Sequence, residues 1–254
     1  YILVDTANTF FRAKHVVQGS SDIKLGMAFH ITFNSIKKAW QDFEGKHVIF
    51  CLEGRSWRKD FYPPYKRNRT EARAALTEKE AEEDKLFWET FDKFKEFIIE
   101  KTNCTVLQNP QLEADDLIAG WIDSHPSDNH IIISTDSDFA QLIAPNVKQY
   151  HGVNEHIITH EGTFTLKGKP VIDKKTKLPK EIPNPDWLLF EKCIRGDTSD
   201  NIGGVQGFLL KLLNEPQVRT FALQQIAGLA QRFFKSAPPA SMAGVPEQDN
   251  MNQS

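Results

Sequence analysis

The chain has 254 residues, 40% hydrophobic and 26% charged, with a net charge of −3: enough apolar material for one large domain with a small one appended, and a charge balance that neither demands nor excludes nucleic acid. No apolar run approaches the ~20 residues of a membrane span, so no membrane partner is expected. Cys51, Cys104 and Cys193 lie too far apart to make a metal-ligand spacing, which points to free thiols, buried at Cys51 and Cys104, and a reducing cytoplasm. The chain opens without Met inside a strand pattern, as expected of a sequence lacking a few leading residues, and shows no signal peptide.

Tyr1 to Asp5 reads as a buried strand with an acid at its exit; Thr6, Asn8 and Thr9 form a polar turn, and Phe10, Phe11 and Arg12 lead into a helix. From Asp22 to Phe43 the apolar positions Leu25, Phe29, Phe33, Ile36 and Trp40 recur at helical spacing, a stripe expected to pack in the core. His47 to Leu52 is the next strand, with Glu53 at its exit. The segment from Arg55 to Arg73 differs in kind: Arg55, Arg58, Lys59, Lys66, Arg67, Arg69 and Arg73 face only Asp60 and Glu71, with Phe61, Tyr62 and Tyr65 interleaved around Pro63 and Pro64. Cations with aromatics on a proline-broken stretch suit a phosphate backbone and stacked bases, although a solvated helix face has the same composition. Thr77, with Glu80 three residues on, caps a long amphipathic helix that carries Leu86, Phe87, Phe91, Phe94 and Phe97.

A short strand at 105–108 feeds the stretch around which the chain is organised, from Leu112 to Phe139. Glu113, Asp115 and Asp116 open a helix whose apolar positions are Leu117, Ile118 and Trp121; Glu113 and Asp116 share a face, with Asp115 turned aside. Ile131 to Ile133 is an all-apolar run, as in strands covered on both faces, followed at once by Asp136 and Asp138, an i, i+2 pair that extended chain would project to one side. Open α/β sheets place their sites at the carboxyl ends of strands, so these acids converge on one edge with Asp5 and Glu53. Two charges about 5 Å apart at an effective dielectric near 20 repel by roughly 3 kcal/mol. Several such pairs exceed a domain's margin unless the acids protonate, splay into water or bind divalent cations, and all-oxygen ligands favour Mg²⁺ or Mn²⁺ over zinc. Helix-dipole complementation and loop formation are the plainer readings of each segment alone. Further on, 147–150 is a strand, 157–173 a hairpin-like excursion with a basic tip at Lys174, Lys175 and Lys177, and 185–194 a helix with Trp187, Leu188 and Phe190 in the core. Asp197 and Asp200 then precede a glycine-rich turn (Gly203, Gly204, Gly207) whose backbone N–H groups suit a phosphate, although an ordinary loop is the better reading of Gly-x-x-Gly alone.

Val4-Asp5, Glu53-Gly54, Pro64-Tyr65-Lys66-x-Asn68-Arg69, Glu113-Ala114-Asp115-Asp116, Ser134-Thr135-Asp136-Ser137-Asp138 and Gly196-Asp197-x-x-Asp200-Asn201-Ile202, in this order, resemble the flap endonuclease and 5′–3′ exonuclease family, particularly its bacteriophage members. The resemblance implies a PIN-like α/β nuclease core with a central, mostly parallel sheet flanked by helices, a helical arch, and a helix-three-turn-helix that grips duplex DNA. It divides the chain into a core at 1–180 with the arch at about 55–85, a helical DNA-binding region at 181–235 and a disordered tail at 236–254. It implies that Asp5, Glu113, Asp115 and Asp136 surround a first Mg²⁺ and Asp138, Asp197 and Asp200 a second, with Mn²⁺ able to substitute; Asp116 belongs to the same acidic cluster. Lys66 and Arg69 match arch residues that contact the scissile phosphate, with Asp136 the third catalytic candidate, and Tyr65 is a candidate to stack on a base. Glu53 stands where the family has Asp, a longer arm of equal charge. After Gly204-Val205-x-Gly207 the expected second Gly and Lys are replaced by Phe208-Leu209-Leu210, leaving Lys211 as a partial stand-in; a closing helix is expected at 217–234.

The function so implied is a Mg²⁺-dependent, structure-selective 5′-nuclease. Its partners would be DNA with a 5′ flap, nick or free 5′ end, RNA–DNA hybrids at primers, and replication proteins, with the enzyme acting as a monomer in the cytoplasm (the host's, for a phage protein) during replication or repair. The alternatives are a PIN-type endoribonuclease, which would lack the basic arch and the Gly-Asp-x-x-Asp-Asn stretch, and a catalytically silent flap-binding relative, which would have no reason to keep the acids.

Overall fold

The structure is a computed structural model that describes residues 1–16, 21–181 and 184–205. The expectations for Gly207, Lys211, the closing helix and the tail lie outside these residues. Residues Tyr1–Val205 form one compact unit.

Strands β1 (Ile2–Asp5), β2 (Val48–Leu52) and β4 (His130–Ile133) are buried at every position, as their apolar runs require. With β3 (Thr105–Gln108) and β5 (Val147–His151) they form a parallel sheet, and β6 (His156–Thr159) and β7 (Gly162–Thr165) extend it antiparallel, in the order β3-β2-β1-β4-β5-β6-β7. The excursion after β5 is thus a hairpin annexed to the sheet edge.

Alternation along each strand sorts the core into two layers. Ile2, Val4, Phe50, Leu52, Ile131 and Ile133 face one side. There they meet Phe10 of α1 (Thr6–Val16), Ala28 and Ile36 of α2 (Ser21–Asp42), and Phe87, Phe91, Phe94 and Ile98 of α5 (Glu78–Lys101). Leu3, Ile49, Cys51 and Ile132 face the other side, against Ala114 and Ile118 of α6 (Ala114–Ser124) and against Phe139. The helix α5 starts where its capping box predicts: the Thr77 hydroxyl accepts from the Glu80 N–H while the Glu80 carboxylate accepts from the Thr77 N–H. The basic segment is broken into α3 (Arg58–Phe61) and α4 (Arg67–Ala74), with Pro63 and Pro64 between them. The chain leaves the hairpin through α7 (Pro185–Arg195), capped by Asn184.

Three local expectations are corrected. The polar turn after Asp5 does not exist: Thr6 already opens α1, its hydroxyl donating to the Val4 carbonyl and replacing a separate turn. Trp40 is 38% exposed, because Thr32, Ile36 and Ala39 define the buried face of α2 instead. The chain after β4 is not extended: Asp136 caps a 3₁₀ turn over Ser137–Leu142, so Asp136 and Asp138 are related by a turn, the Asp138 N–H donating to Asp136 Oδ1 at 2.9 Å.

Candidate active site

The parallel strands end together, and each exit delivers an acid. Asp5, at the end of β1, is 6% exposed; Ser134 Oγ donates to its Oδ2 at 2.8 Å and the Asn8 N–H to its Oδ1 at 3.3 Å. Burial pushes its carboxyl up to about 7 against those hydrogen bonds, and Glu53 and Asp136 push in the same direction. Glu53 and Asp115 reach solvent at the mouth of the recess. Enough protein surrounds them that burial still leads an upward shift at both, reinforced at Glu53 by Glu113 and Asp115, and at Asp115, which rises to about 6, by Asp116 and Glu113. On the far side Asp138 is raised by burial and repelled by Asp136 and Asp197. The expected convergence therefore holds: Asp115, Glu113, Glu53, Asp5, Asp136, Asp138 and Asp197 form one chain of mutually repelling carboxylates along the sheet's carboxyl edge.

The seam between β2 and α6 holds the left half together. Gly54, Arg55 and Trp57 donate backbone N–H groups to the carbonyls of Leu112, Pro110 and Gln111 at 2.8, 2.8 and 2.7 Å. A Cβ on Gly54 would lie 2.1 Å from the Asn109 carbonyl oxygen and 2.5 Å from that of Leu112. Gly54→Ala is expected to cost about 3 kcal/mol of stability, because the obstruction is backbone and cannot swing away. Urea unfolding measures this, and an unchanged midpoint would show that the seam yields.

Cations lie over this edge, and most are already engaged. Glu113, 4% exposed, accepts from Ser56 Oγ and Tyr65 Oη at 2.9 Å each, from Lys66 Nζ at 2.5 Å and from Arg58 at 3.2 Å. Burial would raise its pKa, but Lys66, Tyr65 and Ser56 hold it below the ordinary value. Asp116 takes the Arg58 guanidinium on both oxygens at 2.8 and 2.7 Å and accepts the Glu113 N–H at 3.0 Å. Lys192 of α7 bridges Asp138 at 2.5 Å and Asp197 at 2.7 Å.

The basic segment is tied at its base to the loop at 197–201. The Lys66 N–H donates to the Asp200 carbonyl at 2.9 Å, Asn68 Nδ2 to the Thr198 carbonyl at 3.1 Å, Asn201 Nδ2 to the Pro64 carbonyl at 2.7 Å, and Arg69 to Asp200 Oδ1 at 2.8 Å. Lys66 (φ 54°) and Asn201 (φ 59°) both adopt the left-handed conformation that side chains disfavour, a local cost concentrated where the two segments meet.

Several sequence expectations change here. Asp116 holds the Arg58 guanidinium on both oxygens and caps α6 through the Glu113 N–H, as well as lying in the acidic group with Glu113 and Asp115. Among the cations expected on DNA, Arg55 pairs with Asp60, Arg58 with Asp116, Arg67 with Glu71, Arg69 with Asp200 and Arg73 with Asp84; Lys59 has no ion pair among the described residues. Tyr65 is 6% exposed with its hydroxyl on Glu113, so its ring is not a stacking platform; Phe61, 84% exposed, Tyr62, 41% exposed, and Trp57, 38% exposed, are the open aromatics of the segment. Gly204 packs on the end of α7, where a Cβ would lie 2.4 Å from the Arg195 carbonyl oxygen. Ser56 and Lys192 were not legible from sequence, nor was the role of Ser134 within its motif: each matters through a partner 129 residues away (Ser134 to Asp5), 57 away (Ser56 to Glu113) or across the edge (Lys192 to Asp138).

The donor set tests well for divalent cations. It is all oxygen, as hard ions require, and burial together with neighbouring carboxylates raises Asp5 to about 7 and Asp115 to about 6. Glu113, Asp115 and Asp116 also bring carboxylate oxygens within 4.8 Å of one another. Arg58 and Lys66 already pair with two of these, Asp116 and Glu113.

A parallel α/β sheet whose carboxyl edge gathers acids beneath a cationic segment suits a nuclease, a hydrolase of phosphodiester bonds, and the relatives of the chain are nucleases. Residues 1–169 match the model of the 5′–3′ exonuclease N-terminal, resolvase-like domain, and the chain belongs to that family. It is 32% identical to flap endonuclease Xni of Aeromonas hydrophila over 239 residues, covering 91% of this chain and 77% of that protein. It is 29% identical to ribonuclease H of Enterobacteria phage T4 over 72% of this chain, and spans just over half (55%) of that relative's length. The solved structure of T5 5′-exonuclease with divalent metal ions (zinc) bound superposes with a TM-score of 0.68 at 25% identity, covering 90% of this chain and 78% of that one. The mixed, mostly parallel sheet is thus the PIN-like fold of these nucleases.

Proposed function

We propose that the chain is a Mg²⁺-dependent, structure-selective 5′-nuclease that hydrolyses DNA at 5′ flaps, nicks and free 5′ ends, with RNA primers as a second substrate, in phage-type replication or repair. The observation that carries this reading is the single row of carboxylates from Asp115 to Asp197 lying under Lys66 and Arg69. The flap endonucleases of Aeromonas hydrophila and Escherichia phage T5 among its relatives point to the same substrate class. Asp5, Glu53, Asp115 and Asp136 would hold a first cation, and Asp138 and Asp197 a second, with Asp200 behind them. Bound divalent ions supply a water of lowered pKa and neutralise charge on the phosphate.

The chain's own residues do the rest. Lys66 exchanges Glu113 for a phosphate oxygen and stabilises the charge that builds there. Arg69 and Asn68 keep the arch over the edge through the 197–201 loop. Phe61 and Trp57 offer exposed rings to bases displaced from the duplex. Residues 1–180 with the arch would serve as catalytic core and 181–235 as the duplex grip.

End-labelled 5′-flap, nicked and single-stranded DNA, incubated with Mg²⁺ or with chelator, tests the proposal. Cleavage of the flap with Mg²⁺ alone is expected. Asp136→Asn is expected to lose about a thousandfold in rate while holding the flap with little change, since it removes ligand charge and leaves the arch untouched. Tight flap binding by the unaltered protein with no product in Mg²⁺ or Mn²⁺ would establish the silent relative instead.

A further inference from the structure

Lys192 was not among the residues that carry the family resemblance, yet its ammonium sits at the centre of the right half of the site. It lies 2.5 Å from Asp138 Oδ1 and 2.7 Å from Asp197 Oδ2. The other oxygen of Asp197 is taken by Ser199, whose N–H and hydroxyl donate to Oδ1 at 2.9 and 2.6 Å. Oδ2 is therefore dedicated to Lys192. Burial alone would raise the Asp197 pKa, but Lys192 and Ser199 together hold it down to about 2. The contact is built by the fold: α7 packs against the 3₁₀ turn that carries Asp138, and its C-terminal turn ends at Gly196, directly before Asp197. Gly196 takes φ +73°, and a Cβ there would lie 2.4 Å from the Ile202 carbonyl oxygen, so the chain can reverse tightly enough to bring Asp197 back over Lys192. Lys66 has no equivalent position on the left half: it is 2.5 Å from Glu113 but 4.0 Å from Asp200.

From this geometry we infer that Lys192 is the resident counter-ion of the second cation site, one that a divalent ion must displace to bind between Asp138 and Asp197. The inference rests on the nuclease reading above and concerns how that site is loaded. An ion joined to both carboxylates at about 2.1 Å would occupy the volume in which the ammonium now makes its two bonds. The two positive charges repel at such range, so both cannot remain. Lys192 thus holds Asp138 and Asp197 together when no ion is bound, and it lowers that site's affinity for the ion. The incoming phosphodiester offers the displaced ammonium a new acceptor, so substrate and second ion favour one another's binding, with equal coupling in both directions.

Mn²⁺ binding to the full chain without DNA, followed by electron paramagnetic resonance of the free ion, tests this. The unaltered protein is expected to bind one ion tightly and a second weakly. Lys192→Met is expected to tighten the second by about tenfold, the factor that loss of a charge-assisted competitor supplies, and to leave the first within about twofold. Lys192→Arg, which keeps the charge, is expected to stay weak. A second site unchanged or weakened in Lys192→Met overturns the inference while leaving the nuclease reading in place; failure of the unaltered protein to bind any ion removes both. Should Lys192→Met not fold, the unaltered protein carrying [ε-¹³C]lysine, assigned through Lys192→Arg, gives the same answer. The Lys192 resonance should move on addition of the second equivalent of Mg²⁺, and a stationary resonance refutes displacement.

Discussion

Asp5→Asn is expected to lower hydrolysis about a thousandfold and, in the same protein, to raise the melting temperature of the ion-free form at pH 8. The two effects have one cause. The carboxyl is buried and stands at about 7 in the folded chain against an ordinary 3.8. A raised carboxyl pKa contributes stability that is complete at low pH and is lost as pH rises through the folded value. Between pH 6 and 8 that loss integrates to about 1.4 kcal/mol, or about 3–5 °C in a domain of this size. Asparagine cannot ionise, and Ser134 Oγ, which already accepts the Asp136 N–H, can also accept from its amide. Without divalent ions, melting temperature should therefore fall from pH 6 to 8 in the unaltered chain and fall less in Asp5→Asn; adding Mg²⁺ at pH 8 should restore the first far more than the second. Asp115, at about 6, adds to the slope at its lower end, whereas Asp197, held at about 2, titrates well below this window. Identical pH slopes in the two proteins would mean that Asp5 is not the strained group.

Lys66→Ala is expected to reduce single-turnover cleavage of a 5′ flap by about a hundredfold while weakening flap binding less than about fivefold. Lys66 is 17% exposed on its side chain and pairs with Glu113 in the acid row, so under the proposed function its charge would meet the reacting phosphate and little else of the DNA. Glu113 keeps Ser56, Tyr65 and Arg58 after the substitution, which limits the structural consequence. Since Lys66 has a left-handed backbone, Lys66→Gly is the control: it relieves that conformation, so a matching loss in both variants assigns the effect to the ammonium. Equal losses in rate and binding would instead reduce Lys66 to a phosphate anchor.

How much of this could be read from the chain depends on the range of the interactions. Apolar runs at 2–4, 48–52 and 131–133 announced strands covered on both faces because burial is a property of the strand itself, and Thr77 with Glu80 announced the start of α5 because a cap is settled within one turn. Acids at strand exits announced the edge, since parallel strands in one sheet must end on the same side. The sequence by itself therefore determined the sheet, its helices and the row of carboxylates.

Partnership was decided only by the tertiary structure. Nothing near Asp116 in sequence shows that Arg58 will take both its oxygens, nothing near Tyr65 shows its ring turned inward to Glu113, and nothing around Lys192 shows Asp138 beside it. A carboxylate looks the same in sequence whether it will hold a metal ion or an arginine. The difference is desolvation and the placement of a few atoms within about 3 Å, and those are fixed only when elements distant along the chain are packed together.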